Sequence, residues 1–350
     1  MFAAGFFLTL GAALSYYVNS SFLESLVGKG RVGAVYFGSA LVAIIIIILV
    51  ARGARRFGLL RIARLLGLVL ASGYLGLNLI SSPATALVFF VITHAAGIGL
   101  GLCLDLYLEG LSLNRQTGRI RGGYLTLINA AVLLSPFASG STVNYFDHYR
   151  SIYLLSFLAV LPLLYLLYYR LTEQTPFTNQ TSFGEKIERF KLARILGLDF
   201  LLNLFYSIMV IYLPLRLHQE LGFTWTEIGA LFTVMLVPFV FIQYPLGRLA
   251  DRRWGEKKIL TVGLLIAGFS TLPIGFLDSK NWLGWAGILF LTRVGASAWE
   301  AMKESYLFKR VNVGDVGIIS LSRLMVPLAY LVGAGSSLVL LKFIPTAHLF

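Results

Sequence analysis

Long apolar stretches alternate with short polar ones along almost the whole chain. Each apolar stretch is close to the roughly 20 residues that an α-helix needs to cross the hydrocarbon core of a bilayer. Inside that core every backbone amide has to be paired within its own segment, so these stretches are expected to be helices. The pattern predicts an all-α polytopic membrane protein with eleven spans, at 2–20, 31–51, 59–80, 84–108, 123–144, 151–169, 193–215, 226–246, 258–277, 283–302 and 316–341.

The composition argues against a soluble domain. The chain has 350 residues, of which 57% are hydrophobic and 13% are charged. A soluble protein of this length could not cover its surface with so few polar side chains. Cys103 is the single cysteine, so an internal disulfide and a cysteine-based metal site are both excluded.

An enzyme is not predicted. A membrane-embedded transferase would need an acidic pair, a His–Asp pair or a metal cluster at one interface. The four histidines are far apart in the sequence and do not show the spacing of metal ligands. We therefore expect no metal, no cofactor and no catalytic residues.

Basic residues are concentrated on one side of the predicted membrane. The formal net charge is +13, and 21 of the 29 Lys and Arg residues fall in five loops. Loops rich in Lys and Arg stay in the cytoplasm, which puts the N-terminus inside as well. Since this excess charge is an orientation signal that also attracts anionic lipid, we expect a multi-pass protein of the cell membrane and no nucleic-acid partner. The five loops are 52–64, 112–121, 170–194, 247–258 and 303–310.

The chain divides near its middle, where the longest polar stretch begins at Arg170. The predicted domains are an N-terminal six-helix bundle (1–169) and a C-terminal bundle of five helices (193–350). Residues 170–192 are expected to form a cytoplasmic linker between them.

The two halves also resemble each other. With a shift of 197, "RRFG" at 55–58 aligns with "RRWG" at 252–255, and with a shift of 199, His94 aligns with Arg293. Duplicated helical halves around a midplane site are typical of secondary transporters. The repeat predicts two related bundles with pseudo-twofold symmetry.

The loop between the eighth and ninth spans carries "GRLADRRWGEKK", residues 247–258. This stretch resembles the loop motif of the major facilitator superfamily, with one extra residue, and the resemblance extends over essentially the whole chain. It implies a secondary active transporter that moves a small solute by alternating access, as a monomer with twelve spans, of which the twelfth is not visible here. In the front copy at 52–61, Val50 and Ala54 stand where the motif has glycine and aspartate.

The resemblance also implies that charges at the cytoplasmic surface latch the two halves together. Asp251 is expected to reach the start of the fifth span, near Arg121. Arg252 or Arg253 is expected to meet Glu304. Arg55 or Arg56 is expected to meet Asp105. The residues assigned to this cytoplasmic gate are Gly247, Asp251, Arg252, Arg253, Gly255, Arg121, Glu304, Asp105, Arg55 and Arg56.

The front copy of the loop lacks an aspartate, so the matching contact near Arg323 is expected to lack its acid. This predicts an asymmetric closure, held mainly by the loop of the second half. A simpler alternative is that the loop charges only mark topology.

Few ionisable side chains lie deep inside the predicted spans, where they are costly and usually face a cavity or a partner. Arg293 lies roughly 15 Å into the tenth span at 1.5 Å per residue, close to the midplane. Under the resemblance, the first, fourth, seventh and tenth helices line the cavity. The predicted substrate-binding residues are His94, Asn129, Asn203, Tyr206 and Arg293; a packing role for His94 is an equal alternative.

Coupling needs a buried carboxylate or histidine whose proton affinity changes with access. Asp199 and Glu300 are the candidates, and Glu300, seven residues after Arg293, is expected to offset part of its charge. Ser135-Pro136 with Gly140 resembles part of a Gly-Pro signature found in the fifth helix of many antiporters of this family, and this resemblance implies an exporter, which could be proton-coupled. A uniporter, a lipid flippase and a non-transporting sensor on the same fold are the alternatives.

Overall fold

The computed structural model describes residues 1–111, 117–173, 189–308 and 316–350. Within these ranges the secondary structure is helical, and no strand is present. The side chains at 29, 55, 109–122, 174–192, 251, 253 and 308–317 lie outside the description. The α-helices are α1 (Phe2–Tyr16), α2 (Asn19–Val27), α3 (Val32–Phe57), α4 (Leu59–Leu79), α5 (Pro83–Leu111), α6 (Thr117–Phe146), α7 (Arg150–Tyr165), α8 (Arg189–Leu215), α9 (Trp225–Phe241), α10 (Gln243–Leu249), α11 (Gly255–Thr271), α12 (Trp282–Phe308) and α13 (Val316–Leu340).

The helices match the predicted membrane spans closely. Among the described residues, nine segments are long and apolar enough to cross a membrane, and α1 with α2 forms a tenth that bends by 47°. The remaining predicted span is α12, which is 27 residues long and carries charged residues that include Arg293 and Glu300. It packs between α9 and α11, as the other helices of this bundle pack on one another, although it is not among the ten segments that are apolar enough to cross a membrane.

The packing shows two bundles with the same internal arrangement. In the first bundle α1 packs on α6, and α5 packs on α3 and α4; in the second, α8 packs on α13, and α12 packs on α9 and α11. If each span of the first bundle is replaced by the span six places later in the chain, each pairing of the first bundle becomes a pairing of the second. The two seams between the bundles, α6 on α9 and α3 on α13, exchange in the same way. The contacts therefore define the pseudo-twofold relation that the repeat predicts.

Two spans are broken where the sequence predicts continuous helices. The first span breaks between Tyr16 and Asn19, and the eighth breaks at Ile242, four residues after Pro238. The bond that Pro238 removes lies on its N-terminal side, whereas Ile242 still donates to the carbonyl oxygen of Pro238 at 2.9 Å, so the second break is a single irregular residue within one span, Trp225–Leu249. The first break turns a polar stretch, which includes Asn19, toward the interior of the protein.

The two ends of the molecule differ in their loops. We call the end of the molecule at which α3, α5, α10 and α12 finish the basic end, and the other the distal end. At the basic end Gly58 and Gly255 begin equivalent helices with φ of 89° and 72°. This backbone conformation strongly favours glycine, so the aligned glycines have the same local role.

The distal end is held together by close backbone packing between α6 and α9. A Cβ on Gly140 would overlap the carbonyl of Trp225, and a Cβ on Gly229 would lie 2.5 Å from the carbonyl oxygen of Pro136. The ring of Tyr149 also packs edge-on against Trp225, with centroids 5.5 Å apart. The missing side chains of the two glycines are what allow the helices to approach so closely.

Candidate substrate cavity

A central cavity of about 470 Å³ lies between the two bundles. Both halves contribute to its wall, which is mostly apolar and aromatic. Aromatic side chains offer large contact area with a polar tip, which suits a wall that must touch both apolar and polar parts of a solute. The tyrosines in the wall are Tyr16, Tyr17, Tyr74, Tyr124, Tyr153, Tyr206 and Tyr330.

The structure brings the predicted substrate-binding residues together. They come from four helices, α5, α6, α8 and α12, and each contributes to the wall of the central cavity. The residues are His94, Asn129, Asn203, Tyr206 and Arg293. Their role in binding is still a prediction, because lining a cavity does not show that a solute touches them.

Arg293 is the most unusual of these residues. Its side chain is only 2% exposed, and the guanidinium carbon lies 5.1 Å from the ring centre of Phe205 and 5.4 Å from that of Tyr206. Among the described residues, no carboxylate lies within the 4.0 Å of an ion pair, and Nη1 has no hydrogen-bond partner. A buried charge without a paired anion is costly, and two aromatic faces offset only part of that cost.

Among the described residues Glu300 forms no direct ion pair with Arg293, so the predicted partial offset of its charge can act only through space. Its Oε2 atom accepts a hydrogen bond of 2.9 Å from the hydroxyl of Tyr206. Since the ring of Tyr206 faces Arg293, the tyrosine lies between the two charges. The helical spacing of seven residues was compatible with a direct pair, but it carried no information about a side chain inserted from α8.

His94 lies in an aromatic corner of the cavity. Its ring stacks on Phe90 at 6.0 Å and lies 6.1 Å from each of Tyr36 and Tyr330. The Nδ1 atom is buried and has no hydrogen-bond partner among the described residues. A histidine with a purely packing role usually has its buried nitrogen paired, so this corner can accept a polar group.

The two asparagines are already engaged. Asn129 donates to Oε1 of Gln243 at 3.1 Å, across the α6–α9 seam. Asn203 donates to Oδ1 of Asp199 at 2.8 Å, which leaves its own amide oxygen for the cavity. Asn129 therefore connects α6 to the second bundle, whereas the bonds of Asn203 stay within α8.

Asp199 belongs to a buried ionic cluster within the second bundle. Its Oδ1 atom lies 2.6 Å from Nζ of Lys303, and its Oδ2 atom accepts a hydrogen bond of 2.5 Å from Ser322. Lys303 also lies 3.4 Å from Glu304. Lys303 was predicted to lie in the loop 303–310, but α12 continues past it and the side chain is 4% exposed. Hydropathy could not place the end of this charged helix.

The predicted gate is arranged differently from the expectation. Asp105 of α5 lies 2.7 Å from Nε of Arg323 on α13, so the ion pair joins the two bundles. Arg323, which was expected to lack an acid, thus receives one from α5, and it also lies 3.7 Å from Glu304. The acid that the first bundle contributes to this contact, Asp105, therefore lies on helix α5 and not in the loop at 52–61.

Of the arginines predicted to meet these acids, the structure describes the side chains of two, Arg56 and Arg252. Arg56 is exposed, with its guanidinium over the ring of Phe57 at 5.3 Å, and Arg252 is exposed as well. A side chain on Gly247 would meet open space. The remaining members of the predicted latch have side chains outside the described residues: Arg55, Arg121, Asp251 and Arg253.

Two pseudo-symmetric bundles of membrane-spanning helices around a shared polar and aromatic cavity define the class of membrane transporters. The chain belongs to the Major Facilitator Superfamily, whose family model matches residues 1–334. No curated protein sequence matches the chain.

Similar solved structures include the human organic anion transporter MFSD10 (TETRAN), with 15% identity, a TM-score of 0.78, and coverage of 99% of this chain and 94% of that one. Another is a point mutant of the nucleoside transporter NupG, with 11% identity, a TM-score of 0.73, and coverage of 97% and 90%. At these identities the similarity shows the fold alone.

Proposed function

We propose that this protein is a secondary active transporter that moves a small organic anion by alternating access, without chemical change to the solute. The observation that carries the proposal is Arg293, a buried guanidinium in the cavity wall that has no carboxylate partner among the described residues. An anionic solute supplies the missing charge. Charge-assisted hydrogen bonds to a desolvated arginine are about twice as strong as neutral ones.

The rest of the cavity supports an organic solute over an inorganic one. Its volume of about 470 Å³ falls in the usual range for small-molecule sites. Tyrosine side chains and the corner around His94 and Phe90 offer stacking surfaces and hydroxyl groups. MFSD10 is described as an organic anion transporter, which agrees with this chemistry. An uncharged nucleoside would leave the charge of Arg293 unmatched.

The orientation is part of the proposal. The basic end is assigned to the cytoplasm of the cell membrane, with the N-terminus inside, because 21 of the 29 Lys and Arg residues lie in the loops predicted there. The protein is proposed to act as a monomer, since one chain already provides both halves of the cavity.

Uptake into proteoliposomes tests the proposal. The purified chain is reconstituted, and accumulation is measured for 2-naphthalenesulfonate, which is anionic at every accessible pH, and for the uncharged nucleoside uridine. We expect saturable uptake of the sulfonate only. Arg293→Ala should reduce it at least tenfold while the protein stays monodisperse, and Arg293→Lys should retain part of it.

The matched control is Arg31→Ala, an exposed arginine at the distal end, which should transport like the parent. Equal uptake by Arg293→Ala and the parent would refute the anion site. Binding without uptake would favour a non-transporting sensor, and movement of labelled lipid without solute uptake would favour a flippase.

A further inference from the structure

We infer that Tyr17 is a specificity-determining residue, whose hydroxyl competes with the solute for Arg293 and whose displacement by an anion weakens the closure of the distal end. The inference rests on the proposed anion site and identifies the contact that a solute has to replace there. Tyr17 belongs to the first bundle and Arg293 to the second, so this contact also joins the two halves.

Tyr17 lies at the break in the first span. Helix α1 ends at Tyr16 and α2 begins at Asn19, and the two helices are bent by 47°. The break is fixed within the first bundle, because Asn19 accepts a hydrogen bond of 2.9 Å from the hydroxyl of Tyr153 on α7. Tyr17 is therefore held by its own bundle and moves with it.

The ring of Tyr17 packs into the second bundle. Its centroid lies 4.5 Å from that of Phe232 on α9, and the side chain is only 8% exposed. Phe232 lies about 10 Å along α9 from the distal start of that helix at Trp225, whereas Arg293 lies about 16 Å along α12 from its distal start. The rings of Tyr17 and Phe232 therefore close the cavity on the distal side of Arg293.

The hydroxyl of Tyr17 accepts a hydrogen bond from the guanidinium of Arg293. Because the hydroxyl is neutral, it leaves the charge of the guanidinium unmatched, and Nη1 still has no partner among the described residues. Hydrogen bonds to a charged acceptor are about twice as strong as those to a neutral one. An anionic solute therefore gains free energy by displacing the hydroxyl, whereas a neutral acceptor only exchanges one neutral partner for another.

Displacement of the hydroxyl also weakens the closure of the distal end. Tyr17 then keeps its ring contact with Phe232 but loses its polar contact with Arg293. The close backbone packing around Gly140 and Gly229 still holds the two halves together at this end, so the closure is weakened and not abolished. A bound anion thus lowers the cost of opening the distal end, whereas the empty carrier keeps that end closed.

Binding to the detergent-purified full chain tests the competition, with 2-naphthalenesulfonate and its uncharged amide, 2-naphthalenesulfonamide, as probes. The parent should bind the sulfonate and bind the amide much more weakly. Tyr17→Phe keeps the ring on Phe232 but removes the competing hydroxyl, so the affinity for both probes should rise roughly tenfold. Tyr145→Phe, the same change at a tyrosine that is 81% exposed at the distal end, is the matched control and should bind like the parent.

Maleimide labelling of Val143→Cys, in a background without Cys103, tests the closure. Val143 is 3% exposed and lies in the same apolar cluster as Tyr17, so a thiol there is reached only when the distal end opens. The sulfonate should speed labelling roughly threefold, and the amide should not. Adding Tyr17→Phe should give the faster rate without any solute, whereas adding Tyr145→Phe should leave the rate unchanged.

The outcomes separate this inference from the proposed function. If Tyr17→Phe binds the sulfonate no more tightly than the parent, while Arg293→Ala still abolishes binding, then the anion site stands and the competition is refuted. If the sulfonate does not bind, or binds equally well to Arg293→Ala, both are refuted. Labelling of Val143→Cys at the same rate with and without the sulfonate would also refute the role of Tyr17, even if Tyr17→Phe fails to fold.

Discussion

The two halves of the molecule share one framework but differ in chemistry. Equivalent glycines, Gly58 and Gly255, begin equivalent helices with the same backbone conformation. At the equivalent cavity positions, the first half has the aromatic corner of His94 and the second has the buried charge of Arg293. Lys303, buried against Asp199, aligns with Leu104, which is buried in the apolar core.

This difference between the two halves indicates which half would carry the residues that determine solute selectivity and coupling. Among the described side chains, the fully buried charges lie in the second bundle, whereas the first supplies aromatic surface and Asp105 at the interface. Duplicated helices can keep their packing while individual side chains change, because packing depends on small and apolar positions and chemistry depends on a few polar ones. Under the proposed function, one half would position the solute and the other would recognise its charge.

The largest expected effect comes from breaking the ionic cluster. Asp199→Ala leaves the ammonium of Lys303 buried without its main partner, which should reduce the free energy of unfolding by about 3–5 kcal/mol. Lys303→Leu alone should be similarly harmful, because it strands Asp199. The double variant Asp199→Leu/Lys303→Leu, which makes this site resemble the one around Leu104, should recover most of the stability.

Thermal unfolding in detergent measures these differences. Lys280→Ala is the control, because it breaks an ion pair with Glu227 in which both side chains are partly exposed, at 43% and 37%, and it should change stability by less than about 1 kcal/mol. A double variant no more stable than Asp199→Ala would show that the cluster does more than pair two charges.

A smaller effect is expected at the two seams between the halves. Gly229→Ala places a Cβ 2.5 Å from the carbonyl oxygen of Pro136, whereas Gly33→Ala places one 3.1 Å from that of Ala334. Overpacking of this kind costs about 1–3 kcal/mol, so Gly229→Ala should disfavour closure of the distal end more strongly. Accessibility of an introduced cysteine at Asn144, in a background without Cys103, reports the closure. Equal labelling of the two variants would contradict the ranking.

The sequence predicted the framework better than the contacts. Apolar length, loop charge and the repeat led to the correct fold class, and the midplane depth of Arg293 and His94 led to the cavity. The partners of the charges were not predictable, because they depend on side chains from other helices. Tyr206 inserts from α8 between Arg293 and Glu300, and Ser322 of α13 completes the shell of Asp199.

The ends of the helices could not be predicted from the hydropathy pattern either. Hydropathy ends the tenth span at residue 302, since the charges that follow resemble a loop. In the structure Lys303 is paired with Asp199 and Glu304 inside the bundle, and the helix continues to Phe308. Pairing across helices is invisible to a scale that scores residues one at a time.

Alternating access itself is tested most directly by distances between the halves at both ends. Spin labels at Phe57 and Trp254 report the basic end, and labels at Tyr145 and Leu283 report the distal end; all four side chains are exposed. In membranes, with Cys103 replaced, pulsed electron resonance is recorded with and without 2-naphthalenesulfonate. We expect the two distance distributions to change reciprocally, one end widening as the other narrows. Distances that stay fixed, or that change in the same direction at both ends, would contradict the account.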